Sequence, residues 1–308
     1  MRQPNRMPDG PLTRIVALLL IALAACTGAN FAAAQQVPRV EVPNLWDPQQ
    51  RFIKPNVKGL LRLRFLTTTD FPPFSFIDRD KRLVGFHVDL ARAICEELNV
   101  LPVCQIQALP FEELEQAVLG GRGDLIMAGV AVTAENRRKL AFSRPYFKLP
   151  ARFLVRRETQ LSEPLALSLE SKPVAIIDGT AHAAFAKATF GDMRLRLFET
   201  RTRALRALRE GKVDAFFDDG LSLSRWMQSE LVREQQKDGA KPGVEPALCC
   251  RFAGGPYYST TYFGQGLSIA MAPGNAELEN AINYALRSIS DKGKFAEIYL
   301  RYFPIGLF

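Results

Sequence analysis

The side chains able to do chemistry in this chain of 308 residues are few and poorly paired. There are two histidines, His87 and His182, and five cysteines, Cys26, Cys95, Cys104, Cys249 and Cys250. No histidine stands at metal-ligand spacing from the cysteines, so no metal site is expected. No acid–base pair stands at a spacing that would mark general acid–base catalysis. What remains is the chemistry of binding. The run Asp214-Ala215-Phe216-Phe217-Asp218-Asp219 ends an apolar strand on carboxylates, which are costly to bury unless paired or bound. Asp219 is the better candidate of the two. Thr133 can cap a helix over Ala134 to Leu140, and orphan backbone N–H groups at such a start suit an anion. The loop from Thr67 to Phe74 is stiffened by Pro72 and Pro73 and carries two rings, Phe71 and Phe74, near a strand end. Ligands collect at such ends in open α/β sheets.

The elements that must hold these groups read as alternating strands and helices. Leu60 to Thr67 alternates apolar and charged residues and is the first convincing strand. A helix through Ala91 to Leu98, a strand over Val103 to Gln107 and a helix from Phe111 follow. Leu125 to Val132 is an apolar run broken only by Gly129, as expected of a strand covered on both faces. Phe142 to Tyr146 then ends the helix, because Pro145 cannot continue it. Strands are expected at Ala151 to Arg156, Val174 to Ile177, Leu195 to Phe198 and Val213 to Phe217. Residues 157–171 read as loop, and helices are expected from His182 and over Thr202 to Arg209. Residues 234–262 read as a polar insertion, Gly264 to Met271 as a strand, and Ala276 to Ser288 and Lys294 to Tyr302 as closing helices. His87 reads as a capping or surface residue, and the helix surface is the default for His182.

Composition is that of an ordinary globular protein, 47% hydrophobic and 23% charged. The net charge of +8 could suit nucleic acid, but the basic residues are scattered and no nucleic-acid motif accompanies them. Arg201 to Arg209 reads as one solvated helix face. Residues 1–34 look like an export signal: Arg2, Arg6 and Arg14 precede an apolar core, Ile15 to Leu23, too short to span a bilayer. Ala32-Ala33-Ala34 fits cleavage before Gln35, and Leu23-Ala24-Ala25-Cys26 offers a lipoprotein alternative. Residues 35–58 read as a surface extension anchored by Trp46 and Phe52. Cys95 and Cys104 can close a short loop or stay as buried thiols. Cys249-Cys250 is open between a vicinal disulfide and two free thiols.

Asp124 to Tyr146 resembles the central signature of the family 3 solute-binding proteins, D-x-I-x-x-x-x-x-x-T-x-E-R…F-S-x-P-Y. Asp124, Ile126, Thr133, Phe142, Ser143, Pro145 and Tyr146 fit it. Leu83 to Ala91 resembles the family's G-F-D-V-D-L-A, with His87 in place of an acid. Asp178-Gly179-Thr180-Ala181 resembles its G-T-T, and Asp214 to Asp219 its D-A-x-x-x-D. The match runs from about residue 59 to 303, and it is the order and spacing of the motifs together that are specific. The resemblance implies an α/β, two-lobed, type II periplasmic-binding-protein fold with two hinge crossovers. Residues 59–150 and 265–308 would form lobe one and 151–264 lobe two. It implies a periplasmic monomer that captures a polar solute, passes it to an ABC permease and its ATPase, uses no cofactor and catalyses nothing. Some members carry a disulfide at the step where Cys95 and Cys104 stand.

The implied ligand set is Thr68, Asp70, Phe71, Phe111, Ala128, Gly129, Ala131, Asn136, Thr180, Ala181, His182 and Asp219. Phe71 and Phe111 match the two stacking positions, although Phe111 could equally staple its helix start. Asp219 matches the acid that binds the ligand's amino group. Two departures matter. The arginine that grips a ligand carboxylate is replaced by Asn136, and its Ser or Thr helper by Ala131. Arg137 lies about 100° further round the helix. The expected solute therefore keeps a cationic or donor group but is not a simple L-α-amino acid. Two rivals stand beside transport. One is a cyclohexadienyl dehydratase-like lyase using Asp219 or His182 as its acid. The other is a sensor or accessory protein of the same fold, with 35–58 and 234–262 as docking surfaces.

Overall fold

A computed structural model describes residues 59–235 and 249–308 and scattered positions between 42 and 57. The expected signal segment, Cys26, most of the extension and residues 236–248 of the expected insertion lie outside the described residues. In chain order the first elements are β1 (Leu63–Thr67), β2 (Asp70–Phe71), β3 (Ser75–Ile77), β4 (Leu83–Val84), α1 (Phe86–Glu97), β5 (Cys104–Ala108), α2 (Phe111–Leu119), β6 (Leu125–Ile126), α3 (Asn136–Lys139) and β7 (Ala141–Phe142). The middle of the chain forms β8 (Ala151–Arg156), α4 (Leu165–Leu169), β9 (Val174–Ile177), α5 (Ala181–Thr189), β10 (Leu195–Phe198), α6 (Arg201–Arg209), β11 (Ala215–Asp219), α7 (Gly220–Gln235) and β12 (Cys250–Tyr257). The chain closes with α8 (Thr260–Phe263), β13 (Ala270–Met271), α9 (Ala276–Asp291) and α10 (Lys294–Tyr302).

The strands sort into two five-stranded mixed sheets, ordered β5-β1-β6-β13-β7 and β10-β9-β11-β8-β12, which make the two lobes of a type II periplasmic-binding fold. Each is doubly wound. In the first sheet the parallel neighbours of β1 are β5 and β6. Helices α1 and α2 pack on its opposite faces. In the second, the parallel neighbours of β9 are β10 and β11, and α5 and α6 pack on opposite faces. The winding therefore reverses at the end of β1 in one lobe and at the end of β9 in the other, and a crevice opens at such a point.

Two crossovers join the lobes, Phe147–Pro150 and Tyr258–Leu267, and they are bonded to each other. Leu267 N–H donates to Phe147 O at 2.7 Å, and Tyr146 N–H donates to Leu267 O at 2.9 Å. The signature serine belongs to this joint. Ser143 Oγ accepts from Ile269 N–H at 2.9 Å and donates to Arg144 O at 2.9 Å. The C-terminal tail makes a further tie: Ser224 Oγ donates to Ile305 O and Arg152 Nη1 to Leu307 O.

Several local readings of the sequence give way. The run at 125–132 is a strand only over Leu125–Ile126, because Gly129 turns at φ +76° and the chain leaves the sheet. The helix expected over 134–140 shrinks to α3, although Thr133 Oγ1 does accept from Asn136 N–H at 3.1 Å. Residues 141–142 pair with β13 as strand β7 instead of simply turning outward. Residues 165–169 in the expected loop are helical, and 250–257 in the expected insertion form β12, paired along β8. The alternation in β1 suggested one wet face, yet all five residues are buried. Arg64 can be buried because Asp124 takes its Nε at 3.1 Å and its Nη2 at 2.9 Å, while Arg122 O takes Nη1 at 2.8 Å. His87 is no surface residue: it is buried and bonded through Nε2 to the Tyr146 hydroxyl at 2.7 Å. Cys95 is bonded to Cys104 across nine residues, fastening α1 to β5, and Cys249 is joined to Cys250. No described helix is long and apolar enough to cross a membrane.

Candidate ligand-binding cleft

The first wall of the site is made by the segments leaving β1, β5 and β6. Thr67 Oγ1 donates to Met127 O at 2.7 Å, so the chain leaving β1 is tied to the chain leaving β6. Thr68 is buried beside this tie and Asp70 is exposed on β2. Phe71 is half-buried and stacks on Phe74 with ring centroids 4.7 Å apart and planes at 29°. Phe74 is fully buried among Phe86, Phe147 and Phe303, so the outer ring is backed by a column of rings running into the core. The loop after β6 passes close against Phe71: a Cβ on Gly129 would stand 3.1 Å from Phe71 Cε1. Phe111 opens α2 with 53% of its surface exposed.

This wall offers no cation from the expected positions. Asn136 turns back on its own loop, its Nδ2 donating to Ala131 O at 2.8 Å. Arg137 donates through Nη2 to Gln265 Oε1 at 2.9 Å and lies over the Phe142 ring, which commits it to the second crossover. Ala128 is buried and Ala131 exposed, and neither brings a hydroxyl.

The second wall is made by the ends of β9, β10 and β11. Thr180 caps α5: its Oγ1 accepts from Ala183 N–H at 3.1 Å and donates to Ile177 O at 2.8 Å. Ala181 is exposed. The His182 ring stacks on Phe263 with centroids 4.7 Å apart and planes at 19°. Burial lowers the pKa of His182 below its ordinary value, against the opposing pull of Asp218 and Asp219. Asp219 is half-buried and caps α7, taking Ser222 N–H at 2.9 Å, Ser222 Oγ at 2.5 Å and Leu221 N–H at 3.2 Å. The buried carboxylate is its neighbour. The Asp218 side chain is only 1% exposed, accepts from Arg201 Nε at 2.5 Å, and has Oδ1 3.8 Å from His182 Nδ1. Of the acidic pair it is thus Asp218, and not Asp219, that is buried and paired, and Arg201 is no part of a purely solvated helix face.

Sequence reasoning also misses Arg201, Phe263 and Arg225. Arg225, on α7, donates through Nη1 to Pro72 O at 2.8 Å and so links lobe two to the aromatic loop of lobe one. Only the doubled acid at 218–219 hints at any of this, since adjacent strand residues face opposite ways and one must turn inward. Among the described residues, no group of three or more His, Cys, Asp or Glu side chains could hold a metal ion.

Residues 63–305 match the model of the bacterial extracellular solute-binding proteins, family 3. The L-arginine-binding protein of Pseudomonas aeruginosa is 28% identical over 240 residues, covering 77% of this chain and 86% of that protein. The arginine-binding periplasmic protein of Mannheimia haemolytica is 26% identical over 229 residues, covering 74% and 86%. Among solved structures, the unliganded open L-cystine solute receptor of Neisseria gonorrhoeae superposes with a TM-score of 0.63 at 16% identity, covering 79% of this chain and 92% of that one. That likeness shows the fold.

Proposed function

The chain belongs to the bacterial extracellular solute-binding proteins of family 3, and we propose that it captures one small polar solute between its lobes and hands it to the permease of an ABC transporter. The solute is an amino acid or an amine-like molecule. The observation that carries this reading is the pair of crevices. Each lobe ends its central parallel strand at a point where the winding reverses, one beside the Phe71 platform and the other beside Asp218, Asp219 and His182. A ligand touching both walls favours the closed arrangement of the hinge, and the permease reads that arrangement. The protein works by binding and closing, without turnover, as a periplasmic monomer.

The walls also limit the solute. With Asn136 folded onto Ala131 O and Arg137 held by Gln265, positions 131, 136 and 137 of lobe one present neither a free guanidinium nor a hydroxyl to a carboxylate. This supports a solute other than one gripped by its α-carboxylate from lobe one. The test is a thermal-shift screen with L-amino acids, opines, polyamines, betaines and small organic acids. A compound at about a hundred times its Kd stabilises by about 2.7 kcal/mol, or about 5–10 °C for a protein of this size. Saturable shifts confined to one chemical class are expected. No shift with any compound contradicts solute capture and favours an accessory role.

A further inference from the structure

We propose that the anion-binding group of the cleft is Arg201 on lobe two, so that the solute is a small organic carboxylate held head-first by that lobe. This deepens the solute-binding reading and rests on it. Arg201 opens α6 directly after the end of β10, beside the reversal point at β9. Its guanidinium is held at one edge only: Nε donates to Asp218 Oδ2, and neither Nη group donates to any acceptor among the described residues. Its partner is almost fully buried while the Arg201 side chain keeps 43% of its surface exposed. A buried carboxylate that grips the inner nitrogen fixes the plane of the guanidinium. The outer edge is left with two parallel donors, the fork that a second carboxylate accepts bidentately.

The surroundings fit that use. Thr200 Oγ1 caps α6 by accepting from Arg203 N–H, which fixes the backbone from which Arg201 departs. His182 is held towards its neutral form by burial and presents a flat ring stacked on Phe263, so it brings no competing cation. Asp219 is engaged by the start of α7. The opposite wall is apolar at Ala128, Gly129 and Ala131 and aromatic at Phe71, which suits the body of the solute and not its charged head. The anchor lost from lobe one at Asn136 is thereby supplied from the facing lobe. A solute bridging the two would require closure to bury its apolar part.

The test compares acids with counterparts whose carboxylate is amidated or removed: L-arginine with agmatine, 4-guanidinobutyrate with 4-guanidinobutyramide, and phenylacetate with phenylacetamide. Affinities are measured by calorimetry on the wild type, on Arg201→Lys and on Arg201→Gln combined with Asp218→Asn. The double substitution avoids leaving Asp218 buried and unpaired, and a melting curve checks that it folds. Loss of a bidentate charged contact is worth about tenfold or more in Kd. The expected result is an acid favoured by at least about tenfold over its counterpart in the wild type, a reduced preference in Arg201→Lys, and none in the double variant. Should the double variant fail to fold, the Arg201→Lys comparison decides. Equal binding of acid and counterpart by the wild type, or a preference that survives the substitutions, overturns this inference and leaves solute capture standing. Binding by no member of any pair overturns it, and if the broader screen is silent too, solute capture falls with it.

Discussion

Replacing Gly129 by alanine tests how the first wall of the cleft is built. Gly129 sits at φ +76°, and a left-handed conformation costs an alanine about 1–2 kcal/mol. The new Cβ would also stand 3.1 Å from Phe71 Cε1, so the ring must give way. That movement disturbs the Phe71–Phe74 stack, worth about 0.5–1.5 kcal/mol. The sum is a loss of about 1.5–3.5 kcal/mol, or about 3–14 °C in Tm at about 2–4 °C per kcal/mol. Gly121→Ala is the control. Gly121 has φ +71° with nothing within 4 Å of its added Cβ, so it carries the backbone cost alone. Urea unfolding and ligand titration of both variants separate the terms. Gly129→Ala should be the less stable by about 1 kcal/mol, and it alone should weaken solute binding, because it alone moves Phe71. Identical stability and identical affinity in the two variants would refute the platform reading.

Three further outcomes follow from the same contacts. Ser143→Ala removes the acceptor of the buried Ile269 N–H at the hinge and should cost about 1–3 kcal/mol by urea unfolding. Burial pushes the His87 imidazole down to about 3 from 6.5. The unfolded chain therefore takes up a proton that the folded one refuses. This contribution is complete above about pH 6.5 and fades as pH falls towards 3, by about 1.4 kcal/mol per pH unit. Between pH 7 and pH 5 the wild type should lose about 2 kcal/mol more than His87→Gln, and parallel curves would refute it. Arg225→Ala removes the bond to Pro72 O that joins the lobes beside the aromatic loop. Solute affinity should fall by about two- to tenfold and the Tm of the free protein by about 1–6 °C at about 2–4 °C per kcal/mol, since a hydrogen bond of this kind is worth about 0.5–1.5 kcal/mol.

The fold is legible because its signals are repeated. Apolar strands alternate with amphipathic helices, and the motifs at Asp124, Gly179 and Asp214 recur in a fixed order. Closing helices α9 and α10 and strand β9 show the same thing locally, with one periodicity sustained over the element. What is hidden depends on partners distant in sequence. The burial of β1 rests on Asp124, sixty residues on from Arg64. β12 looks like part of a polar insertion because its pairing with β8 is invisible in its own composition. His87 looks solvent-facing until Tyr146 is placed against it.

In the cleft, the aromatic loop could be anticipated from its prolines and rings. The missing cation at Asn136 could be anticipated by counting. The Arg201–Asp218–His182 cluster could not, because its members stand at or just past the ends of three different strands and meet only when β10, β9 and β11 lie side by side.

The most direct test of solute capture is small-angle scattering of the purified protein, free and saturated with the strongest compound from the screen. If one solute is gripped between the lobes and closes the hinge, the radius of gyration should fall on saturation, with a stoichiometry of one. A compound that binds while the radius of gyration stays fixed would contradict closure around a ligand in the cleft.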